Sequence, residues 1–186
     1  MTTNTNVPVL TVECDEPRGK VKREVRLTQL SMDRIKFMWD RLNKFDVLFN
    51  DFVRGDVKEF INHFVVVIDG EPRPTGLIWD IDDVGIFFLN EIRPLQSASA
   101  HMVFWDRRFK GREELCRAML RYVFDQYKLR RIQVEVPLYA NSTLQTMERI
   151  GFVKEGRKRK AIKYKGEWFD VNLYSILPEE LNGTEH

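Results

Sequence analysis

The spacing of apolar residues along the chain predicts helices and strands in a mixed order. The clearest helix covers 114–127, where apolar side chains recur at the three- and four-residue intervals of one helical face. Shorter helices are expected after Ser31, after Asp56 and over 142–150, because Ser and Asp commonly cap helix N-termini. Apolar runs and alternations predict strands at 25–30, 64–69, 75–80, 85–90, 99–106, 131–136, 153–165 and 169–177.

This order of elements predicts one α/β (α+β) domain, which no repeat or linker-like segment divides. The domain is expected to cover 21–178. A disordered or extended segment is expected over 1–20, and a polar tail over 179–186. With 186 residues, of which 43% are hydrophobic, the chain can bury a substantial core.

Membrane and secretory segments are not predicted. The sequence has no uncharged apolar run of about 18 residues, and its N-terminus has no basic stretch followed by an apolar one. Cys14 and Cys116 lie far apart, and neither is spaced with His as metal ligands are. We therefore expect a reduced, cytoplasmic protein without disulfides and without a metal site.

The charges are unevenly distributed along the chain. Residues 107–165 carry 17 basic and 6 acidic side chains, whereas 1–106 carry 13 basic and 17 acidic ones. Such a basic block indicates an anionic partner on one face, such as a phosphorylated cofactor, an acidic substrate or nucleic acid. A plain solvated face is the alternative for any single lysine.

The stretch ANSTLQTMERIGFVKEG, residues 140–156, predicts a capped helix that leads into a strand. Ser142 and Gln145 have the spacing of a capping box, and Asn141 is an alternative cap. Gly151 stands where a left-handed residue ends a helix, and Phe152 is expected to be buried.

Three segments resemble the GNAT N-acetyltransferases, and within them most closely the branch that includes the ribosomal-protein N-terminal acetyltransferases. They are YVFDQYKLRRIQVEV (122–136), ANSTLQTMERIGFVKEG (140–156) and YKGEWFDVNLYSIL (164–177). The resemblance implies a mostly antiparallel twisted sheet with helices on both faces. It also implies one parallel pair, 99–106 beside 131–136, whose splayed ends admit the pantetheine arm of acetyl-CoA.

In such proteins the loop before the long helix binds the pyrophosphate of acetyl-CoA through backbone N–H groups. Here that loop is DRRFKGREEL, 106–115. The resemblance assigns cofactor binding to Arg107, Arg108, Lys110, Gly111 and Arg112, and to Asn141 at the start of the next helix. Glu113 replaces the second small residue of the family pattern, and the loop is one residue short. An ordinary basic turn before a charge-capped helix is the structural alternative.

The family's usual acid and base are both replaced in this sequence. Met147 stands at the place of the usual Tyr acid, so the resemblance leaves the hydroxyl of Thr143 for that role. Ile162 stands at the place of the branch's carboxylate base. His101 is the candidate base because its ordinary pKa suits proton transfer, and Glu91 and Glu135 are alternatives.

Two functions of different class follow from the resemblance. The first is an acetyl-CoA-dependent N-acetyltransferase that acetylates an amine, perhaps a protein N-terminus, by direct attack in a ternary complex. The second is a catalytically eroded GNAT-fold protein that binds a protein or an anionic partner through the basic residues of 157–165. The sequence does not identify the acceptor, because the segments 46–62 and 81–98 match no known pattern.

Overall fold

The computed structural model describes residues 8–17, 19–106 and 109–182. The strands in this part of the chain are β1 (Leu10–Glu16), β2 (Gly19–Thr28), β3 (Val65–Ile68), β4 (Glu71–Pro74), β5 (Gly76–Ile81), β6 (Gly85–Arg93), β7 (Ser97–Phe104), β8 (Arg131–Pro137), β9 (Val153–Tyr164) and β10 (Glu167–Ile176). The α-helices are α1 (Met32–Leu42), α2 (Val57–Asn62), α3 (Arg112–Tyr127), α4 (Asn141–Ile150) and α5 (Pro178–Asn182), and a 3₁₀ turn covers Asp46–Leu48.

One sheet of eight strands carries the fold, in the order β1-β2-β5-β6-β7-β8-β10-β9. All its neighbours are antiparallel except β7 and β8, which run parallel and are joined through α3. The predicted parallel pair and the mostly antiparallel sheet are therefore confirmed. β7 and β8 pair only at their beginnings, from Ser97 opposite Arg131 to Ser99 opposite Gln133. Beyond that point the two strands separate.

Helices cover both faces of the sheet, as predicted. Alternate residues of β5 and β6 point to opposite sides, because successive side chains of a strand do so. Ile78, Ile86 and Phe88 belong to a core cluster with α1 and α2. Trp79 and Phe87 belong to a second cluster with α3. The two clusters fix α1–α2 and α3–α4 on opposite faces.

Two of the three predicted helix starts are confirmed. The Ser31 hydroxyl accepts a hydrogen bond from the Arg34 N–H (3.2 Å), and the Asp56 carboxylate accepts two at the start of α2. The prediction of a capping box at Ser142 is wrong, and so is the alternative prediction that Asn141 is the cap. The N-cap of α4 is Ala140, which makes no side-chain capping bond, because the turn after β8 starts the helix earlier.

The C-terminal end of α4 agrees with the prediction. Gly151 has a φ of 105°, a left-handed conformation that ends the helix, and Phe152 is buried. The chain then enters β9, as the sequence indicates.

Both ends of the described chain contain regular structure. Within the segment 1–20, Leu10–Glu16 forms β1, which pairs with β2 and buries Cys14 against the core. Residues 1–7 lie outside the described part. In the region expected to be a polar tail, Pro178–Asn182 forms α5, and Leu181 is fully buried. The β3–β4 hairpin forms a separate sheet of two strands, of which β4 was not predicted.

No helix in 8–17, 19–106 or 109–182 is long and apolar enough to cross a membrane. Within the same residues, no group of His, Cys, Asp and Glu could hold a metal ion.

Candidate active site

A cleft opens where β7 and β8 separate. Its inner part, about 160 Å³, lies between the diverging strands and is lined by Ala100, Met102 and Val134, with Cys116 of α3 beneath. Its outer part, about 210 Å³, extends toward the N-terminus of α3 and is lined by Arg112 and by the first turns of α4. Both parts share Met102, Val103, Cys116, Thr143 and Met147, so they form one continuous path, which we call the cleft.

A larger cavity lies on the α1–α2 face of the sheet. It has a volume of about 410 Å³, and most of its wall consists of Phe and aliphatic side chains, so we call it the aromatic cavity. His101, Val103 and Glu135 line both the aromatic cavity and the inner cleft. Two molecules bound in the cleft and in the aromatic cavity would therefore meet at these three residues.

His101 occupies this junction. It lies on β7 opposite Phe88 of β6, and its Nε2 is 3.1 Å from Oδ1 of Asn90. Because a carbonyl oxygen only accepts, Nε2 donates in this pair, and Nδ1 keeps the lone pair that can take a proton. Desolvation by the surrounding protein, with a smaller effect of His63, lowers the pKa of His101 from its ordinary value. The imidazole is therefore neutral, and able to act as a base, at pH 7.

The two alternative bases differ in position. Glu135 lies on β8 at the same junction, but its carboxylate forms an ion pair with Lys158 of β9. Glu91 follows a bulge in β6, with a φ of 49°, and accepts a hydrogen bond from the Ser99 hydroxyl at 2.5 Å. Glu91 is not among the described residues that line the cleft or the aromatic cavity. Of these two carboxylates, Glu135 is the one at the junction.

Thr143 lies in the first turn of α4 and lines both parts of the cleft. Among the described residues, Thr143 is the one with a hydroxyl group that lines both parts of the cleft. Met147 lies one turn further along α4 and lines the same wall. Cys116 is a poor nucleophile here, because burial raises the pKa of its thiol to about 12.

The loop before α3 is only partly described. Arg107 and Arg108 lie outside the described residues. Lys110 is exposed, and Gly111 is the N-cap of α3. A Cβ on Gly111 would lie 2.3 Å from Cβ of Cys14, so glycine is required here by close packing of the loop on β1. The resemblance implies a different reason for a glycine here, which is the close approach of the loop backbone to a phosphate.

The carboxylate of Glu113, at the N-terminus of α3, is paired with a positive charge. Its Oε1 accepts a hydrogen bond from Nε of Arg149 on α4 at 2.6 Å, which ties α3 to α4 beside the cleft. The opposite charge of Arg149 offsets the repulsion between Glu113 and a phosphate bound at the start of α3. Arg112 lines the outer cleft, where its guanidinium donates to the carbonyl oxygen of Asp106 at 3.3 Å.

Other predicted positions lie further from the junction. Asn141 is exposed at the start of α4 and is not among the described residues that line the cleft. Ile162, which stands at the place of the family's carboxylate, lines the aromatic cavity. In the basic strand β9, Arg157 pairs with Asp170 (3.6 Å) and Lys158 pairs with Glu135, so part of its charge is compensated within the protein.

Sequence reasoning missed Asn90 and the wall of the aromatic cavity. Asn90 could have been found from strand register, because it lies two residues from Phe88 on the strand that pairs with His101. The wall segment 48–53 gives no such signal, because a distant hairpin holds it. Asp51 accepts hydrogen bonds from the backbone N–H groups of Lys165 (2.7 Å) and Gly166 (2.8 Å) in the β9–β10 turn.

Comparisons with known proteins agree with this geometry. A model of the acetyltransferase (GNAT) domain matches residues 82–173. The protein named "Putative ribosomal N-acetyltransferase YdaF" of Bacillus subtilis (strain 168) is 27% identical over 114 residues, which make up 59% of this chain and 62% of that protein. "Probable N-acetyltransferase YjcK" of the same organism is 34% identical over 77 residues, which make up 40% of this chain and 42% of that protein.

Solved structures share the fold over most of the chain. A GNAT-family acetyltransferase from Bacillus anthracis has a TM-score of 0.58 and 20% identity, covering 92% of this chain and 100% of its own. A chimera of spermidine N-acetyltransferase SpeG from Vibrio cholerae and hSSAT has a TM-score of 0.64 and 19% identity, covering 86% of this chain and 99% of its own.

These solved structures share the fold of this chain, a mostly antiparallel sheet with one parallel pair. The chain matches the GNAT acetyltransferase domain over residues 82–173, and the resemblance noted in its sequence is confirmed. It spans 62% and 42% of the lengths of the two curated relatives. Acetyltransferases of this family use acetyl-CoA as the acetyl donor.

Proposed function

We propose that the chain is an N-acetyltransferase that binds acetyl-CoA in the cleft and an amine in the aromatic cavity. The observation that supports this most strongly is the junction at His101, Val103 and Glu135, which both spaces share. Donor and acceptor can then be bound together, and holding two reactants in contact is itself a large part of catalysis.

In the proposed reaction the amine nitrogen attacks the thioester carbonyl carbon directly. A new C–N bond forms, the C–S bond breaks, and the amine's proton passes to Nδ1 of His101. The departing thiolate of CoA takes a proton from the Thr143 hydroxyl, which is reprotonated from water, and His101 releases the amine's proton to water. A covalent route through cysteine is disfavoured, because the thiol pKa of Cys14 is raised to about 11 and that of Cys116 to about 12, chiefly by burial.

Phosphate binding is assigned to the start of α3 and its loop. The cleft reaches this end of the helix, where Arg112 lines it and Lys110 is exposed. Arg107, Arg108 and Gly111 complete the proposed site, with Asn141 nearby. Compensation of Glu113 by Arg149 supports the assignment, because it reduces the negative charge that faces the incoming phosphate.

The acceptor amine is proposed to be a protein or peptide N-terminus in the first instance. The resemblance of 140–177 to the ribosomal branch and the name of the YdaF relative both support this proposal. The alternative is a GNAT-fold protein that binds without turnover. It is supported by the hydrophobic residues Met147 and Ile162 at the places of the usual acid and base.

The two functions are separated by measuring acetylated product by mass spectrometry, with a broad panel of peptides and small amines. His101→Gln should slow transfer by roughly 100- to 10,000-fold, as loss of a positioned base does. The acid limb of the wild-type pH–rate profile should lie below pH 6.5, because the pKa of His101 is lowered, and it should vanish in His101→Gln. Thr143→Val should lower the rate without moving that limb. Glu135→Gln tests the alternative base, and it should leave the limb in place because the limb belongs to His101.

Two results would contradict parts of the proposal. A wild-type rate equal to uncatalysed transfer across the whole panel would reject the enzyme and leave the binding protein. Full activity in a His101→Gln/Thr143→Val double variant would keep the enzyme and reject the two residues.

A further inference from the structure

Four phenylalanine rings form a continuous row along the aromatic cavity. Their centroids are 5.7 Å apart from Phe49 to Phe60, 5.0 Å from Phe60 to Phe64 and 4.9 Å from Phe64 to Phe88. The row ends at His101, whose ring centroid is 5.9 Å from that of Phe88. The wall of the cavity therefore carries a continuous aromatic surface from Phe49 to the proposed base.

The cavity carries little negative charge. Among the described residues that line it, Glu135 is the acidic one, and its carboxylate is already paired with Lys158. The amide oxygen of Asn50 accepts the N–H groups of Phe52 (2.9 Å) and Val53 (3.1 Å), so it too is engaged. A polycation would lose its hydration here without finding carboxylates to replace it, which is unfavourable.

Polar groups that can bind an amine lie where the aromatic cavity meets the inner cleft. His101 and Glu135 line both spaces, and Asn90 is hydrogen-bonded to His101, whereas the row of phenylalanine rings leads away from this point to Phe49. The other polar residues of the described cavity wall are Asn50 and His63. The volume of about 410 Å³ falls within the range of small-molecule sites, roughly 300–1,000 Å³. The shape and chemistry thus suit a ligand with one amine at one end and an apolar ring at the other.

We propose that the acceptor is a monoamine attached to an aromatic or similarly bulky apolar group. This inference rests on the proposed function and names the substrate class of the same site. The ring packs along the phenylalanine row, and the amine reaches His101 and Glu135 beside the thioester. A free arylalkylamine has this combination of one amine and one ring, and so does a peptide whose first residue is aromatic.

The test compares 2-phenylethylamine with n-propylamine and spermidine, by calorimetric binding and by acetylated product. Discrimination by an apolar pocket typically reaches about ten- to two-hundredfold, so we expect 2-phenylethylamine to be favoured at least tenfold in both assays. Peptides that begin with Phe or with Gly form a second arm. If the Phe peptide is acetylated selectively, the acceptor is the N-terminus of a peptide or protein. If only the free amine is acetylated, the acceptor is a small molecule.

A matched pair of variants tests the charge argument. Asn50→Asp keeps the oxygen that accepts from Phe52 and Val53 and adds a carboxylate to the cavity wall, so the preference for 2-phenylethylamine over spermidine should fall at least fivefold. Asn43→Asp adds the same charge at the exposed C-cap of α1, outside the cavity, and should leave the preference unchanged.

The outcomes separate this inference from the proposed function. Tight binding of 2-phenylethylamine without acetylation of any amine would keep the ligand class and reject the function. Acetylation of n-propylamine or spermidine as efficiently as 2-phenylethylamine would keep the function and overturn the inference. Unchanged selectivity in Asn50→Asp would also overturn it, because the wall would then not contact the acceptor.

Discussion

Replacement of Gly111 by alanine tests whether the loop before α3 is held by packing on β1. The added Cβ would lie 2.3 Å from Cβ of Cys14, 2.8 Å from its Sγ and 3.1 Å from a ring carbon of Phe109. Cys14 and Phe109 are both buried, so neither side chain can swing into solvent. Gly111 has a φ of −70°, so the substitution does not force a residue with a Cβ into the left-handed region.

We expect Gly111→Ala to lower the free energy of unfolding by about 1–3 kcal/mol, the usual cost of overpacking a core. Reduced freedom of the unfolded chain offsets about 0.4–1 kcal/mol of this. The matched control is Gly156→Ala. Its Cβ would meet only Leu173 Cδ1, at 3.9 Å, so this variant should not lower the free energy of unfolding.

Equilibrium urea unfolding of the two variants and the wild type measures this difference, provided that the slope with denaturant stays constant. Gly111→Ala should also weaken acetyl-CoA binding, because the start of α3 must move away from Cys14. A Gly111→Ala protein as stable as Gly156→Ala would refute the packing reasoning.

Three further predictions concern residues around the cleft and the sheet edge. Asp51→Ala should raise the KM for the amine with little change in the KM for acetyl-CoA, since Asp51 ties the cavity wall to the β9–β10 turn; equal changes in both would contradict this. Glu113→Gln should tighten acetyl-CoA binding, because it releases the charge of Arg149 near the phosphates, and unchanged or weaker binding would place the phosphates elsewhere. Glu155→Gln should cost about 0.5–1 kcal/mol at pH 7 after solvent screening. Hydrogen bonds from Arg131 and Ser175 lower the pKa of Glu155 from 4.5 to about 2, so this stabilisation is complete above pH 4.5, and the difference from the variant should vanish as the pH falls toward 2.

The sequence predicted those parts of the fold that depend on local pattern. The helix α3 and the caps Ser31 and Asp56 follow from residues close to one another in sequence, and each is confirmed. The cap of α4 was assigned wrongly because Ala140 takes that place through the turn that follows Pro137. Local residue preference could not reveal a turn that depends on where β8 ends.

The candidate site was less accessible to prediction, since it depends on contacts between distant segments. His101 was selected by its residue type, but its partner Asn90 is fixed by the pairing of β6 with β7. The wall around Phe49 depends on Asp51 reaching the turn at Gly166, more than a hundred residues away in sequence. Pairings at such a distance leave no periodic signal in the chain.

Calorimetric titration of the protein with acetyl-CoA tests the proposed donor site most directly. We expect saturable binding of one acetyl-CoA per chain, displaced by CoA and weakened by added salt, because the phosphates meet the basic loop and the start of α3. Absence of binding up to millimolar acetyl-CoA, in a protein that unfolds cooperatively, would contradict the assignment of the cleft and with it the proposed transfer.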